Sequence, residues 1–159
     1  MKILVAFYSK TGKTKRVAEN VAKALSADID EIIDQRDRNG IKGWLLGGRD
    51  GMKESLTEIK TKKDPEKYDL VIVGTPVWAW NITPAVRTYV TKFRKNIKRM
   101  AVLVTAGSSK PEKTVSGLEK IWGKKVEVYE SWVDDDFDDN EKCLKKTNEF
   151  LEKVKGIRS

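Results

Sequence analysis

Histidine is absent from this chain of 159 residues, and cysteine occurs once, at Cys143. Without histidine the chain lacks the commonest metal ligand and the ordinary general base, and a single cysteine excludes an internal disulfide. No apolar run approaches the length of a membrane span, and the first residues form a strand pattern rather than the basic start of a signal peptide. We therefore expect a cytoplasmic protein without a structural metal, in which Cys143 is an inert, packed thiol.

Positive charge is the strongest compositional signal. The formal net charge is +8 at pH 7, which raises nucleic-acid binding as a possible function. The lysines are nevertheless spread along the chain, and the densest run, residues 87–99, alternates charged with apolar residues as the wet face of an amphipathic helix does. We therefore expect no nucleic-acid and no membrane partner, and a single domain over residues 1–159.

The first 25 residues have the pattern strand, polar loop, helix. An apolar run from Ile3 to Tyr8 precedes the loop, and Val17, Val21 and Leu25 mark one helical face after it. The loop consists of Ser9, Lys10, Thr11, Gly12, Lys13 and Thr14. A helix N-terminus presents unpaired N–H groups and partial positive charge, to which this loop adds hydroxyl donors and a glycine that lets the backbone come close.

Lysine and arginine at positions 10, 13, 15 and 16 would be repelled by this helix end, and a bound anion would account for them. The sequence therefore predicts a phosphate-binding loop. It is not a P-loop, because Phe7 stands where that motif needs a glycine, and a single glycine does not fit G-x-G-x-x-G. The alternative is an ordinary strand-to-helix turn that is rich in small polar residues.

Two further loops follow buried strands predicted at residues 68–75 and 100–105. The second loop carries Trp78 and Trp80, which are costly to leave wet unless something flat covers them. In an extended segment the two indoles project to opposite sides, and we favour Trp78 as the one that stacks on a ligand. The alternative is two core tryptophans without a ligand. The residues of the two loops are Thr75, Pro76, Val77, Trp78, Ala79, Trp80 and Asn81 in the second, and Thr105, Ala106, Gly107 and Ser108 in the third.

The remaining chain alternates strand and helix patterns. Strands are predicted at 28–34 and 126–133, and helices at about 49–60, from the Thr83 cap and Pro84, and from Lys110–Pro111 to Gly123. A last helix follows the capping-box spacing of 138–141. It is expected to bury Leu144, Thr147, Leu151 and Val154. Five strands that alternate with helices predict one doubly wound α/β domain.

Two motifs resemble those of the flavodoxin-like flavoproteins. Ser9, Thr11, Gly12 and Thr14 match the signature S/T-x-T-G-x-T in full, and G-T-P-V-W followed by T-P-A-V-R-T-Y is similar to the flavin-contact loop and next helix of short-chain members. The resemblance implies a five-stranded parallel sheet of order 2-1-3-4-5 with helices on both faces. It also implies FMN at the switch point between strands one and three, with phosphate in the first loop, the ring beside the second and the pyrimidine edge at the third.

The resemblance implies an electron-transfer flavoprotein, monomeric or homodimeric, that meets redox proteins or a small electron donor or acceptor. An NAD(P)H-dependent flavin or quinone reductase of the same fold, and a regulatory or scaffold domain without flavin, stay open as alternatives. The third loop departs from the family, because it lacks the usual aromatic residue and carboxylates. The outer face of the ring would then be open or covered by Trp44, and a basic, open site would raise the potential and admit a nicotinamide.

Acidic residues at 134–136, 138 and 139 follow the fifth predicted strand. Their negative charge stabilises the N-terminus of the last helix, and their carboxylates can cap it. The alternative is that they steer a basic redox partner.

Overall fold

The computed structural model describes residues 1–36, 56–108 and 110–157. The strands are β1 Ile3–Phe7, β2 Asp28–Glu31, β3 Ile33–Asp34, β4 Ile59–Lys60, β5 Leu70–Trp78, β6 Asn81–Ile82, β7 Met100–Ala106 and β8 Tyr129–Val133. The helices are α1 Lys13–Leu25, α2 Pro84–Phe93, α3 Glu112–Trp122, α4 Asp134–Asp138 and α5 Asn140–Lys155, with one 3-10 turn at Pro65–Lys67. Among these helices, none combines the length and the apolar character that a membrane crossing requires.

The main sheet has the order β2-β1-β5-β7-β8, and all four neighbouring pairs in that order are parallel. This confirms the expected order 2-1-3-4-5. Residues of β1, most of β5 and most of β7 are buried on both sides, as the continuous apolar runs indicate. β6 pairs antiparallel with the end of β5, and β3 and β4 form a separate two-stranded ribbon.

Helices cover both faces of the sheet, which confirms the doubly wound architecture. Successive residues of β1 point to opposite faces, so that Leu4 joins one apolar cluster and Val5 the other. The first cluster packs α2 and α3 against the sheet, and the second packs α1 and α5. Because the strands of the main sheet are parallel, their carboxyl ends lie at one edge, and the loops that follow them start there.

The helix predicted at about 49–60 is wrong in the part that can be compared. Residues 49–55 lie outside the described residues, 56–58 have no regular structure, and Ile59–Lys60 is strand β4. β4 pairs with Ile33–Asp34, and Leu56 is exposed. The helical spacing between Leu56 and Ile59 therefore does not mark a buried helix face.

The last helix begins one residue later than the predicted capping box. Asp139 is its N-cap and accepts hydrogen bonds from the N–H groups of Glu141 at 2.9 Å and Lys142 at 3.1 Å. Residues 138 to 141 therefore have the acidic cap that was expected, but the carboxylate that acts is that of Asp139.

The buried face of α5 also differs from the prediction at one position. Leu144 is 57% exposed, whereas Thr147, Leu151 and Val154 are buried as expected. Cys143 takes the inward position four residues before Thr147. The stripe therefore begins at Cys143, because a side chain at 144 points away from the sheet at this helical spacing.

Gly74 allows β5 to pack between its neighbours. A Cβ at this position would lie 2.7 Å from the Cβ of Phe7 and 2.9 Å from Cδ1 of Leu103. We expect Gly74→Ala to lower the free energy of unfolding by about 1–3 kcal/mol, because an extra methyl group overpacks a core. Urea denaturation followed by circular dichroism measures this change.

Gly156→Ala is the matched control for that variant. Gly156 has an ordinary helical φ of −70°, and its nearest contact would be 3.4 Å. A change below about 0.5 kcal/mol is therefore expected there. Equal effects of the two substitutions would contradict the packing role of Gly74.

Candidate functional site

The three predicted loops meet at the carboxyl edge of the parallel sheet. The N–H of Tyr8, just after β1, donates to the carbonyl of Gly74 in β5 at 3.1 Å. The hydroxyl groups of Thr14 and Thr105 lie 2.7 Å apart, which joins the start of α1 to the end of β7. This edge, between β1 and β5, is the switch point at which open α/β sheets bind ligands.

The first loop is held in a turn by Gly12 and Ser9. Gly12 is the N-cap of α1 with φ +93°, and a Cβ there would meet no atom within 4 Å. The Ser9 hydroxyl oxygen accepts hydrogen bonds from the N–H groups of Gly12 at 3.1 Å and Lys15 at 3.2 Å. The amides of Lys13 and Thr14, by their position in the helix, have no intrahelical acceptor. The first turn of α1 contains no acidic residue.

The threonines of the first loop do not have equivalent environments. Thr11 is exposed, but Thr14 is buried and shares a hydrogen bond with Thr105. Two hydroxyl groups bonded to each other use one proton between them, so the pair keeps a second proton for a further acceptor. The predicted third-loop residue Thr105 thus lies beside the first loop.

Each of the four basic side chains from which the sequence predicts a bound anion lies near another protein group. Lys13 Nζ lies 2.7 Å from Asp134 Oδ1, and Arg16 donates to Asn140 Oδ1 at 2.8 Å. Lys15 lies 3.9 Å from Glu19, and Lys10 Nζ lies 5.4 Å from the ring centre of Trp78. Because of these partners, the repulsion between the basic residues and the helix N-terminus is weaker evidence for a bound anion. The amides and hydroxyl groups of the loop are stronger evidence for it.

The second loop is a tight hairpin and not an extended segment. Trp78 pairs with Asn81, so that Ala79 and Trp80 form a two-residue turn between β5 and β6. Both turn residues have positive φ, +47° and +58°, as a type I′ turn requires. Glycine or asparagine usually fills such positions, and a left-handed conformation costs roughly 1–2 kcal/mol for another residue.

The two tryptophans therefore differ in exposure rather than in the side to which they project. Trp80 is 73% exposed at the tip of the hairpin. Trp78 is partly buried against the core, and its ring meets that of Tyr8 edge-on at 5.5 Å. The sequence predicts Tyr8 only as the end of a strand. Its position directly before the polar loop is the one signal in the sequence for a place in the site.

The base of the hairpin is buried. Ile82 is fully buried, and Asn81 Oδ1 accepts hydrogen bonds from the Ile82 N–H at 2.8 Å and from Arg87 Nη2 at 3.2 Å. α2 begins at Pro84, as predicted, but the Thr83 hydroxyl makes no capping hydrogen bond. It lies 3.5 Å from the hydroxyl of Thr75 in β5 instead.

The third loop lies beside the start of α4. β7 ends at Ala106, and Gly107 and Ser108 are exposed. A Cβ on Gly107 would lie 3.8 Å from Oδ2 of Asp134. The ring of Phe137 lies 5.5 Å from Lys13 Nζ and 5.9 Å from the Arg16 guanidinium. Phe137 is not among the predicted site residues, and its only signal in the sequence is that of a lone aromatic residue within an acidic run.

The acidic run after β8 acts locally in two places. Asp136 accepts from the Val133 N–H at 2.8 Å at the start of α4, and Asp139 caps α5. Within the described residues, no group of three or more acidic or cysteine side chains could hold a metal ion.

Two surface cavities lie away from this edge. One of about 730 Å³ runs along the outer face of α5, past Leu144 and Asn148. Another of about 420 Å³ adjoins the end of α3. Charged side chains of both signs line them.

A doubly wound α/β protein with an amide and hydroxyl cluster at its switch point is the class that the fold and the site define. The flavodoxin domain model matches residues 48–137, more than half of the chain. The chain belongs to the flavodoxin domain family. The matched part includes the hairpin and the third loop, and the first loop precedes it.

Solved structures share the fold. A flavoprotein from Lactobacillus acidophilus, in complex with FMN, is 22% identical with a TM-score of 0.71, over 86% of this chain and 96% of that chain. A protein from Bacteroides eggerthii, provisionally described as a flavoprotein, is 25% identical with a TM-score of 0.69, over 82% and 87%. Oxidised flavodoxin 1 from Bacillus cereus is 18% identical with a TM-score of 0.56, over 99% and 100%. No sequence among curated proteins matches the chain.

Asp136 fixes α4, which carries Asp134 to the site. Its carboxylate is fully buried and lies 2.6 Å from Lys146 Nζ and 3.0 Å from Lys142 Nζ. Burial disfavours its charge, but the hydrogen bonds from Lys146, Val133 and Lys142 outweigh that effect and hold the pKa of this carboxyl below its usual value. The resulting stability is complete above the pKa of the unfolded state, about 3.9, and is lost as the pH falls through the lower folded pKa.

We expect Asp136→Asn to lower the free energy of unfolding by about 2–3 kcal/mol at pH 7, because hydrogen bonds between charged groups are lost. The difference from the wild type should shrink below about pH 4, as the wild-type carboxylate takes up its proton. Asp135→Asn, an exposed change on the same helix, is the control and should stay close to the wild type. Urea titrations from pH 3 to pH 7 measure both, and a difference that does not depend on pH would contradict the role of the charge.

Proposed function

We propose that this chain, as a single domain in the cytoplasm, binds one FMN non-covalently at the carboxyl edge of its sheet and carries electrons through it. The observation that carries the proposal is the joint position of a phosphate-type donor loop and an exposed indole at that edge. Family membership and the complex of the Lactobacillus acidophilus flavoprotein with FMN support it. The contacts that we propose lie in Ser9–Thr14, Thr75–Asn81 and Thr105–Ser108.

The first loop suits the phosphate group. The space in front of Gly12 is open, and the helix amides that follow it have no intrahelical acceptors. The Ser9 hydroxyl accepts two N–H groups and keeps its own proton to donate, and the exposed Thr11 hydroxyl can donate as well. These neutral donors suit a phosphate dianion, and binding it requires neither a general base nor a nucleophile.

The hairpin suits the ring. Trp80 is the indole that a flat ligand can cover without unpacking the core, whereas Trp78 already contacts Tyr8 and Lys10. This favours Trp80 for the stacking role for which the sequence favoured Trp78. Gly107 and Ser108, exposed and small, leave their backbone accessible to the polar edge of the ring.

Bound FMN would supply reversible uptake of one or two electrons. The chain contributes position and charge. Lys10 is an exposed residue of the first loop beside Trp78, where its positive charge favours a negatively charged reduced ring and so a higher potential.

A reductase that takes electrons directly from NAD(P)H is the second candidate. The third loop supports it, because Ala106, Gly107 and Ser108 carry neither an aromatic ring nor a carboxylate that would cover a flavin or repel an anionic nicotinamide nucleotide. The electron carrier stays the first proposal, since the chain contains no histidine to act as an ordinary general base.

Visible spectroscopy during an anaerobic titration tests the function. We expect the protein to bind added FMN, to keep its oxidised spectrum with excess NADPH and to bleach with dithionite. Bleaching by NADPH alone, with turnover of a quinone, would assign the reductase instead. A protein that stays colourless after incubation with FMN and desalting would contradict both and favour a domain without flavin.

The phosphate site is tested by comparing FMN with riboflavin, which lacks the phosphate. We expect Thr11→Ala to weaken FMN binding roughly tenfold, the effect of one lost hydrogen bond to a charged group. Gly12→Val should weaken it further, because φ +93° is strained for valine. Riboflavin binding should stay unchanged in Thr11→Ala, as measured by quenching of flavin fluorescence.

Lys23→Ala, an exposed change near the other end of α1, is the control and should alter neither affinity. An unchanged FMN affinity in both loop variants would place the phosphate elsewhere. An equal loss for FMN and riboflavin in Thr11→Ala would mean that the loop contacts the ring.

A further inference from the structure

The hairpin Val77–Ile82 is strained at its tip and fixed at its base. Ala79 and Trp80 hold positive φ although neither is glycine or asparagine. Ile82, at the base, packs so closely on α3 that a Cβ on Gly117 would lie 2.9 Å from its Cδ1. Backbone strain persists only where the surroundings hold it in place, and it concentrates at functional sites.

Arg87 makes a direct polar contact with the base of this hairpin. It is 7% exposed, and its Nη2 donates to Asn81 Oδ1 at 3.2 Å. The same oxygen accepts the N–H of Ile82 at 2.8 Å, which bends the Asn81 side chain back onto its own strand. A buried guanidinium is costly unless its donors are used, so this contact has a directional requirement that an apolar side chain lacks.

The position of Arg87 is itself set by α2. Its N–H donates to the carbonyl of Thr83 at 2.9 Å in the first helical turn, directly after the hairpin. The guanidinium therefore connects a rigid helix start to Asn81, the first residue of β6, which pairs with Trp78 across the hairpin.

We propose that Arg87 is a positioning residue that, through Asn81, locks the strained turn and so fixes the exposed Trp80. The consequence for ligand binding rests on the proposed function: the locked indole presents a preformed surface for the ring of the cofactor, and Arg87 acts on that surface through Asn81. A preformed surface avoids the ordering of a loop on binding. The competing explanation is that Arg87 only fills the space beneath α2.

Hydrogen–deuterium exchange of the protein without flavin tests the lock. We expect Arg87→Met to raise exchange at the amides of residues 79–82 roughly tenfold, the factor that one hydrogen bond to a charged donor gives. The amides of β7 should keep wild-type protection. Arg94→Met, an exposed change at the other end of α2, is the matched control and should leave both regions unchanged.

Two further variants separate locking from packing. Asn81→Asp keeps an oxygen for Arg87, so the amides of residues 79–82 should stay protected, whereas in Asn81→Ala they should exchange faster. Asn81→Ala also replaces Arg87→Met as the test variant if Arg87→Met does not fold. Ala79→Gly removes strain at the tip and should restore much of the protection in the Arg87→Met background. Faster exchange throughout the protein in Arg87→Met, or no rescue by Ala79→Gly, would overturn the lock and leave a packing role.

Ligand binding gives a second readout. Arg87→Met should weaken FMN and riboflavin by the same factor, because the change acts at the ring and not at the phosphate. If Arg87→Met shows the expected faster exchange but binds both flavins as the wild type does, the link to the ring would be overturned while the lock itself stands. Wild-type protein that binds no flavin would refute the proposed function, and the exchange experiment would still decide the lock.

Discussion

The parallel pairing of β1 with β5 is the constraint on which the rest of the structure depends. These strands are far apart in sequence, yet their register runs from Ile3 opposite Leu70 to Phe7 opposite Gly74. Because both strands are apolar on both faces, the pairing removes two long hydrophobic segments from water and demands helices on each side. It also decides that the loop after β1 and the hairpin after β5 leave the sheet at the same edge.

Gly74 shows how closely this pairing is connected to the site. Its missing side chain admits the side chains of Phe7 and Leu103 and, at 3.3 Å from a would-be Cβ, the methyl group of Thr14. Thr14 can then reach Thr105 with its hydroxyl, so that the start of α1, the centre of β5 and the end of β7 meet in one small volume. The position of the helix N-terminus is thus a result of strand packing, and not of the polar loop by itself.

The features that follow from a repeating sequence pattern could be predicted, whereas those that depend on the backbone geometry at one or two residues could not. Buried strands, their order through the family resemblance, and the three loops followed from apolar runs and motif spacing. The sequence favoured Trp78 over Trp80 for the stacking role, because an Ala-Trp pair gives no signal for a type I′ turn, which asparagine and glycine normally mark. Leu144 was misassigned because one residue of rotation decides which helical side chain is buried. Periodicity cannot give the contacts of the phosphate or the position of Asp134 beside Lys13. It also cannot decide between an electron carrier and a reductase.

The charges around the site change what the net charge of +8 means for it. Lys13 and Arg16 are engaged by Asp134 and Asn140 and lie near the ring of Phe137, and these surface contacts contribute little to stability but fix where the positive charge lies. Asp134 in turn stands on α4, which the buried Asp136 carboxylate fixes to Val133 and Lys146. The excess of lysine over the whole chain is therefore a poor measure of the field at the sheet edge. Among the described residues, the exposed Lys10 and the locally balanced Lys13–Asp134 pair contribute to that field. A redox partner of the proposed electron carrier would therefore meet charges of both signs there.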